Sequence, residues 1–273
     1  MRIGFLTNCF RGQQLASVVE WAKQEGFEFL EIGAATPASE DEIRAAHDQV
    51  GVTAIIMCRN FLDPDPRQRS ALMAQLEWRL DVASRLGIPF VTTSTGIDET
   101  KPLQWNVRAF ATTFDPWLRR AQAAGVKICL ENCPSTGNFA VSPYTWRLAL
   151  EAVQSDALKL CFDPSHLVKL FIDVYKAAER FALHIGYVHV KDCAILDDAL
   201  ADKGIWHNND YWQHRIPGDG VVDWRRLLST LREAGFDGDL SIEHEDPRYE
   251  SSIGQVKEAL LRSRDVIAQA LAE

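Results

Sequence analysis

Short apolar runs alternate with amphipathic stretches along the whole chain, and this alternation predicts an α/β fold. The amphipathic stretches repeat apolar residues every three or four positions, as Leu72, Leu76 and Leu80 do before Gly87. This is the periodicity of a helix that packs on one face. The apolar runs are short and fit strands buried in a parallel sheet. Eight strands are predicted, at residues 2–6, 29–32, 53–57, 90–93, 127–131, 159–163, 186–191 and 239–243.

A glycine closes several of the predicted helices just before the next strand begins. Gly26, Gly87, Gly125 and Gly235 all stand in this position, where a left-handed residue ends a helix. A strand followed by a covering helix, repeated eight times in 273 residues, is typical of a (β/α)8 barrel. We therefore predict an α/β fold with one TIM barrel domain over residues 1–273. A doubly wound open sheet is disfavoured, because no Gly-x-Gly-x-x-Gly or Walker loop follows the first strand.

One segment, residues 192–222, is too long for a plain connection between strand and helix. At the catalytic face of a barrel, such a segment is expected to form a lid over the substrate. It carries Trp206, Tyr211 and Trp212, whose rings could stack on the apolar faces of a sugar. Packing of these rings within the loop itself is the alternative interpretation.

The charge balance and the cysteines narrow the class of partner. With 38 acidic and 29 basic residues the formal net charge is -9, and an acidic surface repels phosphate backbones, so nucleic acid is not expected as a partner. No apolar run approaches the roughly 18 residues of a membrane span, so no membrane is expected either.

Six cysteines without a Cys-x-x-Cys pair indicate reduced thiols. Since no signal-peptide pattern is visible, we expect a cytoplasmic protein.

Four consecutive predicted strands end in a side chain that can bind a metal. These residues are Glu131, Asp163, His189 and Glu243. Residues of a barrel strand alternate between the interior and the helix layer, and in all four strands the residues of the opposite parity are apolar. One assignment of faces therefore points all four polar side chains inward, at the catalytic end.

Three carboxylates that converge in a barrel mouth repel one another unless a positive charge lies between them. A divalent cation would supply that charge. One imidazole and three carboxylates form an oxygen-rich set, so we expect one divalent ion, Mn²⁺ first, with Mg²⁺, Co²⁺ or Zn²⁺ as alternatives. The competing interpretation is that these are ordinary polar residues at strand ends.

Five short motifs carry a family resemblance. They are Glu131-Asn132, Asp163-Pro-Ser-His166, His189-Val-Lys-Asp192, Arg215-Ile-Pro-Gly-Asp-Gly220 and Ile242-Glu-His-Glu245. The set resembles the sugar (phosphate) isomerase/epimerase superfamily, the xylose isomerase-like barrels that also include ketose 3-epimerases and endonuclease IV-type enzymes. The resemblance implies that the four strand-end residues hold one divalent metal. It also implies that His166 and Arg215 contact substrate hydroxyls, and that Glu131 and Glu243 exchange a proton with the substrate.

Further candidate substrate contacts carry alternatives of their own. Lys191 shares the inward parity of His189 and could reach the mouth, and Trp206 is the aromatic candidate of the lid. His166 could instead cap the next helix, and Arg215 could be a solvated loop residue. Two substrate classes stay open: a free ketose, as for a ketose 3-epimerase, and, because the lid is long, a larger 3-keto-glycoside that would undergo epimerisation or β-elimination.

The sequence therefore predicts a metal-dependent sugar isomerase or epimerase that removes a proton next to a carbonyl and forms an enediolate. Its expected partner is a small-molecule sugar or glycoside, and a homo-oligomer is possible. The first alternative is an endonuclease IV-like phosphodiesterase, which is disfavoured because predicted strands two to four do not end in histidine. The second is a non-catalytic sugar-binding subunit, which the sequence leaves open.

Overall fold

A computed structural model describes residues 1–134, 137–206 and 210–272, and within them eight parallel strands close into a barrel. The strands in chain order are β1 (Ile3–Leu6), β2 (Leu30–Ile32), β3 (Val52–Met57), β4 (Phe90–Thr93), β5 (Lys127–Glu131), β6 (Leu158–Phe162), β7 (Ile185–Val190), β8 (Asp192–Ile195), β9 (Trp212–Arg215) and β10 (Leu240–Ile242). The order around the barrel is β1-β10-β7-β6-β5-β4-β3-β2, while β8 and β9 pair separately. The predicted TIM barrel is thus confirmed.

Helices follow the barrel strands along the chain and cover the outside of the barrel, apart from the short helix between β8 and β9. They are α1 (Leu15–Gln24), α2 (Glu40–Val50), α3 (Pro66–Leu86), α4 (Leu103–Ala124), α5 (Pro143–Val153), α6 (Pro164–Val168), α7 (Val174–Phe181), α8 (Asp197–Lys203), α9 (Trp224–Glu233) and α10 (Ile253–Ala272). Gly87 and Gly125 end α3 and α4 in the left-handed conformation, with φ of 70° and 72°, as the sequence predicts. Among the described residues, no helix has the length and apolar character that crossing a bilayer demands.

The barrel interior below the catalytic end is filled by side chains of the predicted inward parity. Phe29, Ala54, Cys129, Cys161 and Tyr187 form this buried cluster. Apolar side chains of the opposite parity, such as those of β5 and β6, belong to the larger core between strands and helices. This buried cluster fills the barrel below the strand ends, so the polar side chains there face a cavity that opens on the catalytic side only.

The predicted irregular segment at residues 192–222 is in fact partly regular. Strands β8 and β9 form an antiparallel ribbon in which Cys193 lies opposite His214, and α8 lies between them. The expectation of a long irregular loop is therefore wrong. The segment has no long apolar run and no strong helical period, so its sequence did not predict regular structure. Two strands this short are stable only when they pair with each other, and the sequence of either strand alone does not show that pairing.

The carboxylate of Asp192 ties the start of this ribbon to the chain that follows it. It accepts hydrogen bonds from Cys193 N (2.8 Å), Val222 N (3.1 Å), Gly218 N (3.3 Å) and Trp224 Nε1 (3.0 Å). Gly220 leaves room for it, since a Cβ there would lie 2.1 Å from Asp192 Oδ1. Burial raises the pKa of Asp192 against the effect of these bonds.

Replacing Asp192 with alanine should lower the free energy of unfolding by about 2 kcal/mol, because several buried donors would lose their acceptor. Urea denaturation followed by circular dichroism would measure the change. Asp198→Ala, at an exposed position of α8, is the matched control and should stay within about 0.5 kcal/mol of the parent. Equal stability of the two variants would contradict the role of Asp192.

Candidate active site

The carboxyl ends of the barrel strands open into a cavity of about 910 Å³. Its walls include four of the residues predicted from the sequence, Glu131, His166, Lys191 and Glu243. The other two predicted metal ligands, Asp163 and His189, are fully buried beside them. The structure therefore brings these six side chains to one end of the barrel.

The four predicted metal ligands form one compact group. Each of Glu131, Asp163, His189 and Glu243 offers a ligand atom, and these atoms all lie within 4.8 Å of one another. His189 Nδ1 is 3.4 Å from Glu131 Oε1 and 3.0 Å from Glu243 Oε2. Four neighbouring strand ends thus direct their polar groups to one point.

Local hydrogen bonds explain how Asp163 reaches this point. Its Oδ1 accepts hydrogen bonds from the backbone N and the Oγ of Ser165, at 2.8 and 2.7 Å, and so caps α6. The amide of Asn132 bonds both ways to the Asp163 backbone, at 2.9 Å each. The Glu-Asn and Asp-Pro-Ser motifs therefore hold the strand ends together and leave Asp163 Oδ2 for the cluster.

A residue absent from the sequence predictions, Glu31 of β2, orients His189. Its Oε2 accepts hydrogen bonds from His189 Nε2 at 3.0 Å and from Ser241 Oγ at 2.8 Å. A carboxylate can only accept, so Nε2 carries the proton and Nδ1 faces Glu131 and Glu243. Strand parity could have predicted Glu31 from the sequence, because Glu31 lies two residues after Phe29 and Phe29 faces inward.

The residues present fit a divalent cation. Asp163 Oδ2 and His189 Nδ1 are buried and have no hydrogen-bond partner among the described residues, although charged groups lie 3.0 Å from each. Buried polar atoms are normally satisfied, so orphaned atoms in one cluster call for an explanation. One imidazole and three carboxylates are a suitable donor set for such an ion.

Lys191 lies at the centre of the acidic groups. Its Nζ is 3.0 Å from Asp163 Oδ2, 2.7 Å from Glu243 Oε2 and 2.9 Å from Glu245 Oε2. Burial opposes the charge, but these carboxylates raise the pKa of Lys191 well above its ordinary value. Lys191 in turn lowers the pKa of Glu245 to about 2. Glu245 was not among the residues predicted from the sequence, although it has the same strand parity as Glu243.

The two cavity glutamates lie in different electrostatic environments. Burial works against the charge of Glu131, yet hydrogen bonds from His166 and His189 hold the pKa of this carboxyl well below its ordinary value. At Glu243 burial prevails and raises the pKa of the carboxyl, although Lys191 and His189 act in the opposite direction.

His166 lies beside the cluster. Its Nε2 is 3.4 Å from Glu131 Oε1 and 3.3 Å from Asp163 Oδ2. Burial disfavours its charge, but Asp163 raises the pKa of His166 to about 9. The thiol of Cys58, which the sequence analysis did not select, donates to Glu131 Oε2 at 2.9 Å.

Two predicted substrate contacts do not reach the cavity wall. Trp206 is 87% exposed, next to residues 207–209, which lie outside the described part of the chain. Arg215 Nη1 donates to His214 O at 2.9 Å and Nη2 to Gln213 Oε1 at 2.8 Å, so these donors are used by neighbouring residues of β9. Trp212 lines the cavity instead. Residues of β9 alternate between its two faces, so Trp212 and His214 line the cavity and Arg215 does not.

Residues 19–268 match the family model described as a xylose isomerase-like TIM barrel. The chain belongs to this family. Among curated relatives in sequence, the inosose isomerase of Halalkalibacterium halodurans is 22% identical over 277 residues, with 95% of this chain and 92% of that protein covered. The uncharacterised YfiH protein of Bacillus subtilis is 31% identical over 139 residues, and this match covers 47% of this chain and 44% of YfiH.

Solved structures with the same fold cover nearly all of the chain. The IolI protein with a bound zinc atom superposes with a TM-score of 0.79 at 18% identity and 99% coverage of both chains. D-Psicose 3-epimerase from Clostridium cellulolyticum H10, solved with D-tagatose, gives 0.76 at 18% identity and the same coverage. At this level of identity the similarity establishes the fold of the xylose isomerase-like family.

Proposed function

We propose that this protein is a metal-dependent isomerase or epimerase of keto-sugars or inososes that moves a proton at the carbon beside a carbonyl. The observation that carries the proposal is the pair Glu131 and Glu243, which line the same cavity and belong to one group of four metal-ligand candidates. The family relatives support an enzyme, since they include an inosose isomerase and a D-psicose 3-epimerase.

Glu131, Asp163, His189 and Glu243 would hold the cation. We propose Mn²⁺, since three of these four donors are carboxylates, although the IolI protein holds zinc. A divalent cation in this position supplies positive charge that polarises a substrate carbonyl.

We propose that the two glutamates transfer protons on opposite sides of a substrate. Their strand ends, after β10 and at the end of β5, are three strand positions apart around the barrel. One carboxylate removes the proton from the carbon beside the carbonyl, and the other returns a proton from the opposite face, which inverts that carbon. Return of the proton to the neighbouring carbon gives isomerisation instead.

Lys191 and His166 supply positive charge near the oxygen on which negative charge develops. Both line the cavity, and Lys191 Nζ lies 3.5 Å from His166 Nε2. Because Asp163, Glu243 and Glu245 already hold Lys191 in place, its ammonium needs little reorganisation during the reaction.

The cavity wall near β3 supports a sugar enzyme over the phosphodiesterase alternative. Met57, Cys58 and Arg59 line the cavity at the end of this strand, where additional histidine ligands would be needed for a cluster of zinc ions.

All six cysteines lie among the described residues and none forms a disulfide, which supports the proposal of a cytoplasmic location.

Proton exchange with solvent tests the proposed reaction directly. The Mn²⁺-loaded protein is incubated in heavy water with D-fructose, D-tagatose, a 3-keto-glucoside or 2-keto-myo-inositol, and the products are followed by NMR. We expect deuterium at one carbon beside the carbonyl of at least one substrate, and loss of exchange after chelation. Absence of exchange from all four substrates, with a folded and metal-loaded protein, would contradict the proposal.

A further inference from the structure

A second buried lysine, Lys169, lines the same cavity away from the carboxylate cluster. Lys169 is the residue directly after the end of α6, and it is only 5% exposed. Lys169 stands three positions after His166 and six after Asp163. Residues three apart on a helix lie on one face, so the three side chains form a row that leads outward from the cluster.

Lys169 differs from Lys191 in its partners. Among the described residues no carboxylate oxygen lies within 4.0 Å of Lys169 Nζ, whereas Lys191 contacts three carboxylates. The contact of Lys169 Nζ is with the ring of Trp212, whose centre lies 4.1 Å away. A cation over an indole gains some energy, but an ammonium removed from water without a counter-ion remains costly.

The ribbon fixes the backbone of Lys169 as well as its side chain. Tyr211 Oη donates to Lys169 O at 2.7 Å, and the Tyr211 ring stacks on Phe171 with centroids 5.8 Å apart. Phe171 has a φ of 56°, in the left-handed region that bulky residues rarely adopt. Lys169 is therefore held in one place by β9 and by the turn after α6.

His214 of β9 adds no positive charge beside Lys169. His214, two residues after Trp212, also lines the cavity. Burial and the nearby Lys191 lower the pKa of His214 to about 3, so this imidazole is neutral near pH 7. An anion that approaches Trp212 would therefore meet the ammonium of Lys169 over the indole ring and no imidazolium of His214.

We propose that Lys169 binds the carboxylate of an acidic keto-sugar, at the end of the substrate that lies away from the metal-ligand cluster. This inference rests on the proposed function and adds a substrate class to it. A substrate carboxylate would provide the counter-ion that the described residues do not offer Lys169. Asp163 and Lys169 flank α6, so at 1.5 Å of rise per residue their Cα atoms are about 9 Å apart, comparable with the length of a six-carbon chain with oxygens at both ends.

Matched ligand pairs test the proposal. D-Fructose and D-fructuronate, and likewise D-tagatose and D-tagaturonate, differ only in a terminal carboxylate, and calorimetry on the Mn²⁺-loaded protein compares their affinities. We expect each uronate to bind about 10- to 100-fold tighter than its ketose, the range of a hydrogen bond to a charged group. Lys169→Met should remove this preference, so that each uronate binds no tighter than its ketose, while Lys169→Arg should retain part of it.

Several results would overturn the inference. One is undiminished uronate preference in a folded Lys169→Met protein, since the metal alone would then hold the carboxylate. Another is tighter binding of D-tagatose 6-phosphate than of D-tagaturonate. A third is trapping of a substrate adduct on Lys169 by borohydride, which would show imine chemistry. If neutral ketoses exchange deuterium but uronates show no preference, this inference fails while the proposed function stands.

Discussion

Replacing Glu131 or Glu243 with glutamine is expected to lower the kcat of deuterium exchange by roughly 10³-fold, within the range for loss of a general base or acid. Both carboxylates line the cavity, and His189 Nδ1 lies 3.4 Å from one and 3.0 Å from the other. Glutamine has nearly the same shape and keeps one carbonyl oxygen, but it neither accepts nor returns a proton at neutral pH.

Three measurements separate catalysis from folding and metal loading. Turnover is followed by NMR, bound metal by elemental analysis, and substrate affinity by calorimetry at saturating Mn²⁺. Glu20→Gln, at an exposed position of α1, is the control and should behave like the parent. If the Glu131 and Glu243 variants changed affinity alone, with no exchange in the parent protein, the chain would be a sugar-binding module.

Replacing Glu31 with glutamine is expected to weaken metal binding by 10- to 100-fold, about the range found when the carboxylate partner of a metal-bound histidine is lost. Glu31 is fully buried and contacts His189 Nε2, not the proposed ligand atom Nδ1. Its charge fixes the tautomer and the orientation of the ring. Glutamine could present its amide nitrogen to Nε2 and thereby favour the wrong tautomer.

Metal affinity is measured by competition with a chelating dye, a readout that does not depend on turnover. Ser241→Ala removes the second hydrogen bond to Glu31 Oε2 and leaves the carboxylate in place, so we expect a smaller loss of affinity. A dissociation constant for Glu31→Gln within twofold of the parent value would show that Glu31 is only a structural acid.

The barrel and the position of the four strand-end residues follow from local patterns. A strand in a closed barrel has one inward face, so the alternation at Cys129 and Glu131, or at Tyr187 and His189, decides the direction of each side chain. The helix-ending glycines then mark the strands in order. Each of these signals lies within a few residues of the position that it predicts.

The predictions for Arg215 and Trp206 depended on where a long segment folds. Arg215 has donors that suit a substrate, but in the ribbon they bond to Gln213 and His214. Trp206 has a suitable ring, but it is exposed. Residue type indicates what a side chain can bind, but the folding of the whole segment decides which partners lie within its reach.

By itself the sequence determined the barrel, the inward parity of its strands and the group of Glu131, Asp163, His189 and Glu243, because periodicity and helix ends are local properties. Tertiary structure alone decided the roles of Glu31 and Lys169. Glu31 meets His189 from 158 positions away, across the mouth of the closed barrel. Among the described residues Lys169 has no carboxylate partner, and it is covered by Trp212, which lies in a ribbon 43 positions later in the chain. Contacts of this kind depend on how distant segments pack, and no local pattern carries that information.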